Sequence, residues 1–250
     1  MKRLYSTIFA LSIFAFVQAQ TADEIIQKHL EATGGAEKWQ GVNTILMEAV
    51  AVAQNGQEVT TKLTKVQGKI MRREVNFGMG TMKMVVTPES GWFANPRAGG
   101  SFEAMPAGMH AEQSMELDIN PLSGYAARGS KAELTGKEQV DGKETFKIKL
   151  TSSKGKERNY FIDAATFFLV KETFMSNRER GRGGNAPNAG TASAGPTEVA
   201  ITFDNFQKTP EGFVFPFTIS TSGMGPKLNL EKIEINPSVD EKSLMDGIKK

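Results

Sequence analysis

The sequence contains no cysteine, and this absence excludes several kinds of site at once. Without a thiol the chain has no disulfide framework, no cysteine nucleophile and no cysteine-ligated zinc. It also lacks the residue to which bacterial lipoproteins attach their N-terminal lipid. The fold must therefore rest on packed side chains, and a chain of this length can bury a sufficient core.

Signatures of catalysis are also missing. The sequence has only two histidines, His29 and His110, and no His-Glu-x-x-His, Gly-x-Ser-x-Gly or phosphate-binding glycine loop. His29 falls on the apolar stripe of a predicted helix, where a packed histidine is the simpler interpretation. We therefore predict that the protein is not an enzyme and holds neither a metal nor a cofactor.

Long apolar runs are absent except at the start of the chain. Lys2 and Arg3 precede an apolar run over residues 4–17, and Val17-Gln18-Ala19 has the residues of a cleavage site. The run is shorter than the roughly 20 residues of a membrane span and is typical of a secretory signal peptide. We assign residues 1–19 to this signal and expect residues 20–250 to form a single periplasmic domain; an uncleaved N-terminal anchor is the alternative.

The mature chain has no net charge. The full sequence has 30 Lys and Arg against 28 Asp and Glu, and the signal removes Lys2 and Arg3, which leaves 28 of each sign. A nucleic-acid partner is therefore not predicted.

The spacing of apolar residues changes once along the mature chain. Thr21 to Ala32 has helical spacing, with Thr21 and Glu24 placed as a capping box. Beyond Gly34 the spacing becomes that of strands, separated by turns such as Asn55-Gly56. The pattern predicts an α+β fold of about ten antiparallel strands, with a low-complexity, disordered loop at about 177–196.

A helical segment interrupts the strands. Residues 96–121 are rich in Gly, Ala and Pro and contain a predicted short helix over 110–117. Ten antiparallel strands in one sheet should curl, and the exposed face of such a sheet needs a cover. We therefore place an apolar hollow between the curved sheet and residues 96–121.

Three stretches of the sequence resemble a known family. They are Ala22 to Trp39 with its Gly34-Gly35, Gly91-Trp92-Phe93-Ala94-Asn95-Pro96 with Leu134 to Thr166, and Phe203 to Phe217 with Ile233-Glu234-Ile235-Asn236-Pro237. Their order and spacing are similar to those of the outer-membrane lipoprotein-sorting-like proteins of Bacteroidetes, relatives of the LolA/LolB carriers. The resemblance covers most of the mature chain.

The resemblance implies a strongly curved, half-open β-barrel closed by short helices, with a hydrophobic cavity that accepts acyl chains. It implies a periplasmic carrier or chaperone-like binder of lipids or lipoprotein acyl chains. Envelope membrane proteins are the further partners, and a monomer is expected.

Methionine is frequent in the first half of the chain, and its flexible, polarizable side chain suits a surface that accepts varied apolar shapes. An ordinary core rich in methionine is the alternative explanation. The candidates for the cavity lining are Met82, Met84, Trp92, Phe93, Phe215 and Phe217.

Two other functions are compatible with the sequence. One is a structural envelope protein that docks a partner through its sheet. The other is a Cu(I) site, because thioethers prefer Cu(I). Its candidate ligands are Met79, Met82, Met84, Met109 and His110.

Overall fold

The computed structural model of the protein describes residues 20–176 and 195–248. The predicted signal peptide and nearly all of the predicted loop at 177–196 lie outside the described residues. Within the described ranges no helix is both long and apolar enough to cross a bilayer.

The first helix, α1 (Ala22–Ala32), begins at the predicted capping box. The Thr21 hydroxyl accepts from the Glu24 amide, and the Glu24 carboxylate accepts from the Thr21 amide, each at 3.2 Å. These two bonds satisfy amide groups that have no partner inside the helix. Its apolar stripe, which includes Ile25 and Ile26, is buried against the sheet.

The second helix, α2 (Ala36–Gln40), follows a tight glycine turn and carries the buried Trp39. Gly34 has a φ of +142°, and a Cβ built there would lie 2.8 Å from the Phe213 ring. A side chain at this position would therefore push the turn away from the sheet. The Trp39 ring packs edge-on against Phe213 at a centroid distance of 4.8 Å, which fixes both helices on one face.

In residues 20–176 and 195–248 the strands number thirteen, not about ten. They are β1 (Thr44–Val52), β2 (Glu58–Val66), β3 (Ile70–Asn76), β4 (Thr81–Val86), β5 (Gly91–Ala94), β6 (Phe102–Ala104), β7 (Lys131–Val140), β8 (Lys143–Thr151), β9 (Glu157–Asp163), β10 (Leu169–Ser176), β11 (Thr197–Lys208), β12 (Val214–Thr221) and β13 (Met224–Ile235). Strand β6 lies inside residues 96–121, the segment predicted to be helical. It forms because its backbone pairs with the otherwise open edge of β5.

All thirteen strands form one antiparallel sheet in the order β6-β5-β4-β3-β2-β1-β13-β12-β11-β10-β9-β8-β7. Strands that follow one another in the chain pair with each other, except β6 and β7, and β13 also pairs with β1. Strands β6 and β7 are therefore consecutive in the chain but lie at opposite edges. The connection between them, residues 105–130, is called the insertion below, and it must pass across a face of the sheet.

Ion pairs to the insertion show how strongly the sheet curves. Seven strand-to-strand steps separate β3 from β9, about 34 Å if the sheet were flat. Yet the carboxylate of Glu116 in the insertion lies 2.6 Å from Arg73 on β3 and 3.8 Å from Arg158 on β9. The sheet must curl around the insertion for one carboxylate to meet both side chains. The predicted half-open barrel is thus an open, strongly curved sheet.

The predicted short helices differ in extent. The helix expected over 110–117 is α3 (Ala107–Gln113), continued by a 3₁₀ turn at Ser114–Glu116. It begins earlier because Pro106 precedes it, and proline favours the start of a helix. Near the C-terminus the chain forms a 3₁₀ turn, Ser243–Met245.

The helices and the insertion lie on one face, called the inner face, and bury two apolar cores there. The helix core packs α1 and α2 on the sheet, and the insertion core packs the insertion on β3 and β4. The buried members of the helix core include Ile25, Ile26, Leu30, Trp39, Ile45, Ile148, Tyr160, Ile162 and Phe215; those of the insertion core are Met71, Met84, Val86, Met105 and Leu117.

The opposite face, called the outer face, carries the C-terminal segment. Leu244 is buried there against Val85 and Ile70, and Trp92 packs on the same cluster. Arg72 fastens this segment by donating to the main-chain oxygens of Leu244 and Asp246, at 2.9 and 3.1 Å. Apolar side chains are therefore buried on both faces of the first half of the sheet.

Replacement of Ile25 by alanine tests the helix core. Ile25 is fully buried, and truncation of a buried isoleucine costs about 2 to 5 kcal/mol. We expect Ile25→Ala to lower the free energy of unfolding in urea by that amount. The control Gln27→Ala, on the exposed side of α1, should change it by less than about 0.5 kcal/mol. Equal effects would contradict the assignment of this core.

Candidate functional site

The inner face carries an unbroken row of directly paired residues across the first half of the sheet. Most of its members are apolar, and Arg73 is the exception. The row consists of Phe93, Met84, Arg73, Leu63, Met47 and Ile233. In the second half, Ile201, Glu172, Tyr160 and Ile148 form a similar row with a single charged member.

A group of inner-face apolar residues lies outside both cores and stays partly exposed. These residues are called the inner wall: Val75, Met82, Ile201, Phe203, Ile219 and Leu228. They stand near the turns between β3 and β4 and between β12 and β13, and near the start of β11, whereas Phe213, in the turn between β11 and β12, packs on Trp39 of α2. The helix core therefore closes one end of the inner face, and an apolar surface remains at the other end.

The insertion crosses the inner face between the helix core and the inner wall, and it packs directly on the sheet. Leu117 and Met105 are buried against Met71 and Met84. Two clefts of about 350 and 370 Å³ both lie on the outer face, and the insertion lines neither of them. Within the hollow expected beneath residues 96–121, Leu117 and Met105 therefore occupy the space over Met71 and Met84, and the partly exposed apolar surface of this face is the inner wall.

A group of charged residues, called the charged island, lies where the insertion crosses the sheet. It consists of Lys65, Arg73, Arg158 and Glu172 from the strands and Glu116 from the insertion. Arg158 pairs with Glu172 at 2.9 Å, and its guanidinium lies over the Phe174 ring at 4.3 Å. Arg158 and Glu172 are both buried.

The charges of the island shift one another's protonation. Burial alone would raise the pKa of Glu116, but Arg73, Arg158 and Lys65 outweigh it and lower that pKa to about 2. Burial lowers the pKa of Lys65 to about 8, although Glu116 opposes the shift. Burial raises the pKa of Glu172 against the attraction of Arg158. Of the two carboxylates in the island, Glu116 is therefore the one that stays ionised to low pH.

The next residues of the insertion are fixed to the hairpin between β2 and β3. Gln67 donates to the Asp118 carboxylate at 2.7 Å and accepts from the Ile119 amide at 2.8 Å. Arg128 pairs with the other oxygen of Asp118 at 3.0 Å. At the far end of α3, the Ser176 hydroxyl donates to Glu112 at 3.0 Å. The insertion is therefore attached to both halves of the sheet.

The six residues predicted to line the cavity fall into three places. Met82, Met84 and Phe93 lie together on the inner face of β4 and β5, with Met84 buried in the insertion core. Phe215 and Phe217 belong to the helix core, and Phe215 packs edge-on against Trp39.

Trp92 does not share a surface with the other five. It pairs with Val85 and packs on the C-terminal segment at the outer face. Successive residues of a strand point to opposite faces, so Trp92 and Phe93 are separated by the sheet. We therefore omit Trp92 from the site.

Sequence reasoning did not find the charged island. A signal was present, because each of its cations occupies an apolar-face position of a strand. Lys65 follows Leu63 by two residues, and Arg73 stands between Met71 and Val75. A charge at such a position is buried when the sheet is covered, and it then requires a partner.

The structure also shows the surroundings of His29 and of the methionines considered as copper ligands. His29 is buried, as expected, and its Nδ1 lies 2.8 Å from the Phe167 carbonyl oxygen. Met79 is 79% exposed in the β3–β4 turn, whereas Met84 is buried among apolar side chains, so these two copper candidates do not share an environment. Among the described residues, no group of three or more histidine, aspartate and glutamate side chains is placed to hold a metal.

Comparison with known proteins shows similarity in structure but none in sequence. No family model and no curated protein matches the chain. A LolA superfamily protein from Nitrosomonas europaea matches with a TM-score of 0.56 over 90% of this chain and 98% of that one, at 13% identity. The chain therefore has a LolA-like fold.

Two further solved structures share this LolA-like fold. A protein described as an outer-membrane lipoprotein-sorting domain, from Vibrio parahaemolyticus, matches with a TM-score of 0.53 and 13% identity, over 89% of this chain and 95% of that one. A DUF1329 family protein from Desulfovibrio piger matches with a TM-score of 0.56 and 12% identity, over 90% and 98%. The likeness extends over nearly the whole domain.

The pH dependence of stability tests the charged island. The pKa of Glu116 in the folded state, about 2, lies below its ordinary value of 4.5. The stability that Glu116 contributes is therefore complete above pH 4.5 and is lost as the pH falls through about 2. Between pH 5 and pH 3 the wild type should lose about 1 to 2 kcal/mol more than Glu116→Gln, measured by urea unfolding.

The control for this experiment is Glu144→Gln. Glu144 pairs with Lys137 at 2.7 Å, but both side chains are about half exposed, and exposed pairs contribute little. This variant should follow the wild-type profile. Parallel profiles for the wild type and Glu116→Gln would contradict a Glu116 carboxylate stabilised by the island.

Proposed function

We propose that the protein is a periplasmic carrier that binds the acyl chains of lipids or lipoproteins against its inner wall, without catalysis. The observation that carries this proposal is the inner wall itself. Six apolar residues from β3, β4 and β11–β13 stay partly exposed on the covered face of a curved sheet. They form two groups, Val75 with Met82 and the four residues on β11–β13, and exposed apolar patches are typical of binding sites.

The fold and the fold relatives support the same function. One of the three structures with this fold is described as an outer-membrane lipoprotein-sorting domain. The N-terminal sequence is typical of an exported chain, and the cell envelope contains the acyl chains that such a carrier would move. Envelope membrane proteins are then the donors and acceptors of the cargo.

The energies fit reversible binding. Burial of each methylene contributes about 0.8 kcal/mol, so a chain of about 15 carbons gains roughly 12 kcal/mol. Association costs about 4 to 15 kcal/mol. The cost therefore offsets a third or more of the gain, which permits the weak, reversible binding that a carrier needs to release its cargo.

The insertion controls how much apolar surface a chain can reach. In the structure it covers Met71 and Met84 with its own Leu117 and Met105. An acyl chain on the inner wall can extend beneath the insertion only if these contacts open. We therefore include the insertion in the proposed site as a movable cover over the Met84 end of the wall.

A charge placed in the inner wall tests the proposed function. Phe203→Glu puts a carboxylate on the wall, and it should weaken displacement of the neutral probe N-phenylnaphthylamine by dodecanol about tenfold or more. Thr202→Glu is the matched control, because Thr202 is the preceding residue of β11 and faces the outer side. It should bind as the wild type does.

Two results would contradict the carrier proposal. One is equal binding by Phe203→Glu and the wild type. The other is a native mass spectrum of protein purified from the cell envelope with no lipid attached, together with no uptake of dodecanol. A stoichiometric protein partner found in that spectrum without lipid would instead favour a docking protein.

A further inference from the structure

The charged island contains hydrogen-bond donors that nothing in the described residues satisfies. Arg158 is only 5% exposed, yet its Nε has no acceptor among the described groups. Its two terminal nitrogens are directed to Glu172 and Glu116. A buried donor without an acceptor is costly, and one in a native structure calls for an explanation.

Lys65 is the second under-used donor. Its ammonium carries three N–H groups, but within the described part of the chain it donates only to the main-chain oxygen of Asp118, over a long 3.4 Å. No carboxylate among the described residues lies within ion-pair distance of it. The Asp118 carboxylate is already taken by Arg128 and Gln67.

The charges of the island do not balance among its own members. Three cations, Lys65, Arg73 and Arg158, face two carboxylates, Glu116 and Glu172. One further carboxylate, Glu112, acts on Arg158 from a distance and accepts from Ser176. The island therefore concentrates three cations, two of which, Arg158 and Lys65, have unmet donors, and such donors favour an oxygen anion.

The inner wall leads directly to these donors. Arg73 and Val75 lie on the same face of β3, two residues apart, about 7 Å along the strand. On the other half of the sheet, Ile201 pairs directly with Glu172, which holds Arg158. An apolar chain lying on the wall would thus have its end at the island.

We propose that the charged island binds the anionic headgroup, carboxylate or phosphate, of an amphiphile whose acyl chain lies on the inner wall, and that Glu116 is a built-in competitor for the same cations. This inference rests on the proposed acyl-chain binding and adds a headgroup class to it. The Glu116 carboxylate has the same two oxygens and the same charge as a fatty-acid headgroup.

The competition links the headgroup to the movement of the insertion. Withdrawal of Glu116 would leave Arg73 without its carboxylate and Arg158 with Glu172 alone, and breaking one side of a buried ion pair is strongly unfavourable. An anionic ligand can take the place of Glu116, whereas a neutral lipid cannot. The insertion is therefore released preferentially by anionic amphiphiles.

Three ligands with the same chain separate the headgroup from the tail. Dodecanoate, dodecyl phosphate and dodecanol are compared by displacement of N-phenylnaphthylamine at pH 7.5. In the wild type one or both anions should bind at least about tenfold more tightly than dodecanol. Tighter binding of dodecanoate would indicate that the ligand carries a carboxylate, as a free fatty acid does. Tighter binding of dodecyl phosphate would indicate a phosphate-containing headgroup, as in a phospholipid.

Two variants then test the residues. Lys65→Met should reduce the ratio of anion affinity to dodecanol affinity about tenfold and leave dodecanol binding unchanged. Glu116→Gln should raise that ratio several-fold, because the competing carboxylate is gone. Lys62→Met, an exposed lysine of β2 that faces the outer side, is the control and should change nothing.

The outcomes distinguish the two proposals. If all three ligands bind equally well, the headgroup inference is wrong and acyl-chain binding stands. If none binds, both are wrong. If Glu116→Gln tightens all three ligands by the same factor, Glu116 only holds the insertion in place and is not a competitor for the anion site.

Discussion

The arrangement of the inner face depends on the ion pairs that Glu116 makes with Arg73 and Arg158. Arg73 and Arg158 stand on strands seven steps apart in the sheet, and one carboxylate of the insertion lies between them. The topology sends the insertion across the sheet, because β6 and β7 form its two edges. The ion pairs determine how closely the two halves curl around it.

A buried group of charges holds the insertion in place at a large cost in desolvation free energy. Removal of ions from water costs several kcal/mol each, and apolar packing of similar volume is often as stable. An apolar contact, however, would bind the insertion to the wall without regard to ligand. In a charged contact the carboxylate of the insertion can be replaced by an anionic ligand. The insertion can therefore open when such a ligand lies on the inner wall. This is the physical reason to connect the island with binding.

Local features of the fold were predictable, and the long-range ones were not. The capping box at Thr21 and the turn at Asn55-Gly56 depend on neighbouring residues and appear where expected. The meeting of Arg73 with Glu116 joins residues 43 positions apart, and no spacing rule predicts it. The error at Trp92 was avoidable, because strand alternation already separates it from Phe93.

Methionine methyl NMR tests the central claim most directly, since methionines lie on both faces. Met82 and Met47 point to the inner face, whereas Met245 packs on the outer face and Met175 is exposed there. Addition of an acyl ligand should shift the methyl signal of Met82, with Met47 following, and leave Met245 and Met175 unchanged. Shifts confined to Met245 or Met175, or no shifts at saturating ligand, would contradict binding at the inner wall.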